Sequence, residues 1–145
     1  NKGWIMHTYF PMLKSSSYKL TSPATIEYNC IAWAAGDTET WWWPDPFGQY
    51  FWPSEILREE TIDVFVKAFE FLGYTICRDA NYETGYEKVA IYAKPDGRPT
   101  HAARQVDAEK WTSKIGRLED IEHGVNSLSG AIYGEPIVFM KRPKE

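Results

Sequence analysis

Cys30 and His101 are the residues whose types and setting could carry nucleophilic chemistry. Cys30 lies in Tyr28-Asn29-Cys30-Ile31-Ala32-Trp33-Ala34, an apolar run that reads as a helix, with Ser22-Pro23 and Thr25 upstream as residues that favour helix starts. The positive end of the helix dipoles lowers a thiol's pKa, so a cysteine there can be a thiolate near neutral pH. A buried helix has the same look, since free cysteine is among the most buried residue types. Thiol chemistry also needs a base that shuttles a proton to the leaving group and a group that fixes the base's tautomer. Of three histidines, His7 falls in an N-terminal arm and His123 on a late expected helix, which leaves His101, on an expected strand, as the candidate base.

Pairing then suggests the third member. If Gln105 opposes Trp111 across a hairpin, Ala103 opposes Ser113 and His101 opposes Ile115, so His101, Ala103, Gln105, Trp111, Ser113 and Ile115 share one face. Ser113 is the first choice to orient the imidazole, with Gln105 and Asp120 behind it. Asn29 has two readings, support of an oxyanion or a bond to a loop. Lys114, Arg104 and the Glu119-Asp120, Glu122 cluster read most simply as solvated surface.

The elements that must position these residues follow in chain order. Residues 1–23 read as an extended arm with a short strand near Tyr18-Lys19-Leu20, and the Cys30 helix spans about Thr25 to Ala35, stopping at Gly36. Trp41-Trp42-Trp43-Pro44 through Trp52-Pro53 holds three prolines and a glycine, which exclude a regular element and leave a stiff aromatic loop. It either packs as a lid over the core or walls a cleft beside Cys30, in which case Trp42 and Trp43 touch substrate. A helical segment begins at Ser54-Glu55, and Ile62, Phe65, Val66, Phe69 and Leu72 have amphipathic spacing up to Gly73. Strands are expected at Tyr74–Cys77, Val89–Ala93, Thr100–Gln105, Trp111–Ile115 and Ile137–Met140, with a short helix over Asp120–His123 and Val125–Leu128. Consecutive hairpins with helices on one side make an α+β domain, a mostly antiparallel sheet packed against the Cys30 helix and a second amphipathic helix.

Composition bounds the partners. The 145 residues, 43% hydrophobic, suit one domain with one core, and 16% aromatic content is the outlier, with five tryptophans between Trp33 and Trp52. A net charge of −4 with scattered cations makes nucleic acid an unlikely partner, and no apolar run is long enough to cross a bilayer. Two cysteines, Cys30 and Cys77, are too few for a disulfide scaffold and have no metal-type spacing, which points to a soluble protein of a reducing, cytoplasmic setting. Cys77 reads as a small core residue. Nothing in the pattern calls for a cofactor or a metal, and oligomeric state is left open.

A cysteine at a helix start, followed by a sheet whose second strand opens with histidine and whose next strand brings a polar residue, resembles the papain-like superfamily, including the NlpC-type cell-wall amidases. The segments Tyr28–Ala34, Thr100-His101-Ala102-Ala103-Arg104-Gln105 and Trp111-Thr112-Ser113-Lys114-Ile115-Gly116 also resemble those of an uncharacterised bacterial family. The superfamily likeness implies a single papain-like domain over 1–145, a nucleophile at Cys30, a base at His101 and an oxyanion site made of backbone N–H groups at the helix start. The substrate it implies is a peptide, protein or cell-wall amide, handled through an acyl-enzyme. The papain signature around its cysteine is absent, and no asparagine follows His101 at a strand position. The competing expectation is a binding domain that holds a glycan, peptide or protein partner with the Trp41–Trp52 loop.

Overall fold

In the computed structural model, residues 10, 19–22, 27–115, 120–130 and 132–144 are described. The arm expected over 1–23 therefore lies mostly outside the described residues, apart from Phe10 and the strand β1, Lys19–Ser22.

The first helix, α1, spans Cys30–Ala35 and is capped by Asn29, whose side chain accepts from the Ala32 N–H; Gly36, at φ 90°, ends it. It starts later than Thr25, because the Asn29 cap is in extended conformation and Glu27 and Tyr28 are not helical. Six residues make too short a helix to persist alone, so burial of Cys30, Ile31, Ala32 and Ala34 must hold it. The second helix, α2, is Ile62–Phe71, with Thr61 as cap and Val64, Phe65, Val66, Ala68 and Phe69 buried. It does not begin at Ser54-Glu55. The chain between is drawn into the aromatic loop, where the Arg58 guanidinium donates to the Asp45 carboxylate and backbone carbonyl and to the Tyr50 carbonyl.

Five further strands come from the expected hairpins: β2 Thr75–Cys77, β3 Tyr86–Ala93, β4 Pro99–Gln105, β5 Trp111–Lys114 and the last, β7 Glu135–Pro143. The remaining strand, β6, is Asp120–His123, where a helix was expected, and residues 125–129 are turns. Four residues carry little helical preference of their own, and pairing with β5 on one side and β1 on the other satisfies their backbone in extended form. The seven strands form one antiparallel sheet in the order β1-β6-β5-β4-β3-β7-β2.

Alternation divides the sheet into two faces. On one, Val89, Ile91, Ala102 and Met140 pack with α1, α2, Trp42 and Trp52; on the other, Ala90, Tyr92, Ala103, Trp111, Ile115 and Ile121 pack with Phe10 and Leu128. Both helices lie on the first face. The second face is closed by the turns after β6, tied down where Tyr92 Oη donates to the Val125 carbonyl.

Gly134, at φ 76°, lies so near β3 that a Cβ there would stand 2.0 Å from the Ala93 carbonyl oxygen. Gly134→Ala is expected to lower stability by at least about 2 kcal/mol, from the positive φ and the backbone collision together. Urea unfolding of the variant beside the parent chain reads this directly.

Candidate active site

Asn29 fixes the helix carrying Cys30. Its Oδ1 accepts from Ala32 N and from Trp42 N, both at 3.1 Å, and its Nδ2 donates to the Trp42 carbonyl at 2.6 Å. Of its two sequence readings, the loop bond is the one made. The same clamp settles Trp42, which is buried in the core, while Trp43 is half-buried with its ring edge-on to Phe65 at 5.4 Å. Trp52 is buried too, so much of the aromatic loop is core packing.

The Cys30 thiol is 6% exposed. Burial pushes its pKa up to about 11, against the pull of backbone N–H groups of Ala102, Ile31 and Cys30 itself and of the Lys114 charge. Of the two readings of this helix the buried one fits: the helix start does act toward the thiolate, and desolvation outweighs it. An acceptor of a strand N–H lies near the plane of the sheet. The last ladder pair of β4 with β5 is Arg104–Thr112, and the Ala102 N–H that meets the thiol lies two residues beyond it.

His101 sits on the face away from α1, fully buried, opposite Tyr92 on β3. Its Nε2 lies 2.9 Å from Ser113 Oγ, the partner expected from the hairpin register, and Gln105 does pair with Trp111. The Gln105 side chain, however, donates to the Ala80 carbonyl at 2.8 Å. Asp120 faces the other way and accepts from Tyr28 Oη at 2.7 Å. Lys114 and Asp120, expected on a solvated surface, are fully buried beneath α1, with Lys114 Nζ 5.5 Å from the Tyr28 ring centroid. Cys77, on the edge strand β2, is half-buried rather than a core residue.

His123 is the residue that sequence reasoning missed. Its Nε2 stands 2.6 Å from Ser113 Oγ and its Nδ1 2.6 Å from the Gly124 carbonyl. A carbonyl only accepts, so His123 Nδ1 carries the hydrogen and Nε2 is bare. Ser113 must then donate its single hydrogen to His123 and accept from His101 Nε2. His101 Nδ1 is left as a bare lone pair, and it is buried with no hydrogen-bond partner. Strand alternation on β5 and β6 would have revealed His123, but only once Asp120–His123 was known to be extended.

Tyr133 covers this imidazole, its ring stacked on His101 with centroids 4.0 Å apart. Among the described residues no hydrogen bond joins the Cys30 thiol to His101, and both groups are closed off from solvent. No cluster of three or more His, Cys, Asp or Glu side chains able to hold a metal occurs among the described residues, and no described helix is long and apolar enough to cross a membrane.

Fold and site together define an α+β domain with a cysteine at the head of a helix and buried imidazoles on an antiparallel sheet. A family model described as a domain of unknown function, DUF7689, matches residues 19–141, and the chain belongs to that family. No curated protein and no solved structure matches it significantly.

Burial lowers the His101 pKa well below its usual value, helped by the neighbouring His123, and lowers that of His123 to about 4. The unfolded chain, with imidazoles near 6.5, binds more protons below that pH than the folded chain, so stability rises with pH through this window and falls as pH drops from 6.5 toward 4. The unfolding free energy read from urea titration is expected to fall with a limiting slope of about 2.7 kcal/mol per pH unit for two such groups. His123→Gln should bring that slope toward half, and a flat profile from pH 6.5 to 4.5 would mean that the imidazoles are solvated.

Proposed function

We propose that this domain is a thiol-dependent hydrolase or acyl transferase acting on an amide bond, with Cys30 as nucleophile and His101 as base, in a papain-like form of the α+β fold. The observation that carries the reading is the bare, buried Nδ1 of His101, adjacent in the chain to the residue whose N–H engages the thiol. Buried polar groups are costly unless paired, and perturbed titratable groups cluster at functional sites; here the thiol on α1 and the imidazole on the opposite face of the sheet meet the same strand, β4.

Because the thiol rests neutral, the chemistry is general-base catalysis rather than use of a preformed ion pair. Sγ bonds to the amide carbonyl carbon as His101 Nδ1 takes the thiol proton. The developing oxyanion is held by backbone N–H groups of the Cys30 helix start and of Ala102. His101 then returns the proton to the departing amine and leaves a thioester, which water or another nucleophile opens with His101 again as base. Ser113 and His123 hold the imidazole in the tautomer this requires. Peptide, protein and cell-wall amides all satisfy this chemistry, and no cofactor or metal enters it. Catalytic hydrogen bonds are often unformed before substrate arrives, and here the thiol and the imidazole, which rest on opposite faces of the sheet, must be brought together as the Tyr133 ring yields.

A second reading, a non-catalytic binding domain, is favoured by the neutral, buried thiol. Mild alkylation with iodoacetamide at pH 8, with the modified cysteine mapped by mass, separates the two. For the enzyme, Cys30 labels despite its burial, Cys30→Ala folds and loses that label, and His101→Ala slows Cys30 labelling about tenfold or more while Cys77 is unchanged. Labelling confined to Cys77 in the folded protein, or a Cys30 rate indifferent to His101, would decide for the binding domain.

A further inference from the structure

The loop between α1 and α2 buries Trp42 and Trp52, half-buries Trp41 and Trp43, and exposes other large apolar side chains. Phe47 is 85% exposed, Leu57 65%, Phe51 46% and Tyr50 40%. Single exposed apolar residues are ordinary, but four on one short loop are not.

The loop is also held firmly. The Asp45 carboxylate accepts from Gln49 N at 2.8 Å and from Tyr50 N at 3.0 Å, and forms a 3.0 Å ion pair with Arg58. Arg58 reaches on to the Tyr50 carbonyl, Trp52 Nε1 donates to the Leu57 carbonyl at 3.0 Å, and Trp42 and Phe51 share a β-bridge. These bonds bring the 45–51 turn and the 57–58 segment together, so the exposed side chains sit on one preorganised support. Ordering cost on binding is correspondingly small.

Charge says what fits there. Between residues 37 and 63 the chain has seven acidic residues and one basic residue, and that one, Arg58, is turned inward to Asp45. Glu39, Glu55, Glu59 and Glu60 are exposed, the last three flanking Leu57 in the chain. Stacking of a sugar would call on open tryptophan faces, but Trp42 and Trp52 are in the core and the half-buried Trp41 and Trp43 have their rings against Tyr50 and Phe65. We infer that the 45–60 loop is a docking surface for a cationic amphipathic segment of a protein partner, its apolar side chains set among Phe47, Phe51 and Leu57 and its lysines or arginines facing the glutamates. This stands independently of the thiol chemistry.

The probe is a synthetic leucine/lysine amphipathic peptide about four turns long, with a leucine/glutamate peptide of the same pattern as its counterpart. Tryptophan fluorescence or calorimetry is expected to show saturable, salt-sensitive binding of the lysine peptide and none of the glutamate peptide. Phe47→Ser combined with Leu57→Ser should weaken binding about tenfold or more, as loss of apolar anchors does. Glu55→Gln with Glu59→Gln and Glu60→Gln should weaken it and flatten its salt dependence, while Ile137→Ser, at an exposed apolar site on β7, leaves it unchanged. Unfolding curves for each variant separate lost docking from lost fold. Three results would each overturn the inference: no binding of the lysine peptide, equal binding of both peptides, or equal losses at Ile137. Self-association of the protein abolished by the Phe47 and Leu57 substitutions would overturn it in favour of a second copy as occupant.

Discussion

A serine hydroxyl has one hydrogen to give, and that limit at Ser113 organises the polar centre of this protein. Two imidazoles converge on the same oxygen, and the Gly124 carbonyl dictates which of them receives its proton. The assignment propagates from a turn after β6, through two strands, to a nitrogen of His101 that no hydrogen bond occupies. Removing one hydroxyl would leave the Nε2 of each buried ring without a partner, which is why this chain of bonds demands an antiparallel register correct at β4, β5 and β6 together.

The thiol obeys a competition of a different kind. Helix-start N–H groups, the Ala102 N–H and the Lys114 charge favour the anion, and near-complete burial opposes it and prevails. A reactive cysteine is usually described by its helix position, yet here position alone points the wrong way. What distinguishes Cys30 from an ordinary core cysteine is the N–H of Ala102, next in the chain to His101, although the imidazole itself lies on the opposite face of the sheet. Tyr133 stacks on that imidazole in the resting protein.

Asn29 links the two halves of the molecule's surface chemistry. One amide side chain both caps the cysteine helix and grips the backbone of Trp42, so the orientation of α1 and the start of the aromatic loop are a single mechanical unit. The loop's tryptophans then fill the core above α2, and its phenylalanines and Leu57 turn outward among carboxylates. An aromatic-rich stretch has thus been divided by its prolines and by Asp45 into an inner, packing part and an outer part available for contact.

Much of this was legible along the chain because it depends on near neighbours. The glycine after Ala35, the alternation through Val89–Ala93 and the turn at Lys94–Gly97 are local signals, and the hairpin they imply aligns Gln105 with Trp111 and brings Ser113 to His101. Tertiary structure decided what depends on solvent and on distant pairing. Asp120–His123 has no local preference strong enough to choose between helix and strand, and only β1 and β5 beside it make it extended, which brings His123 to Ser113 and buries Asp120. Charge state follows the same rule: the residue types and the helix start are properties of the sequence, but the pKa of Cys30 is set by how much water the whole fold removes, and no stretch of chain carries that quantity on its own.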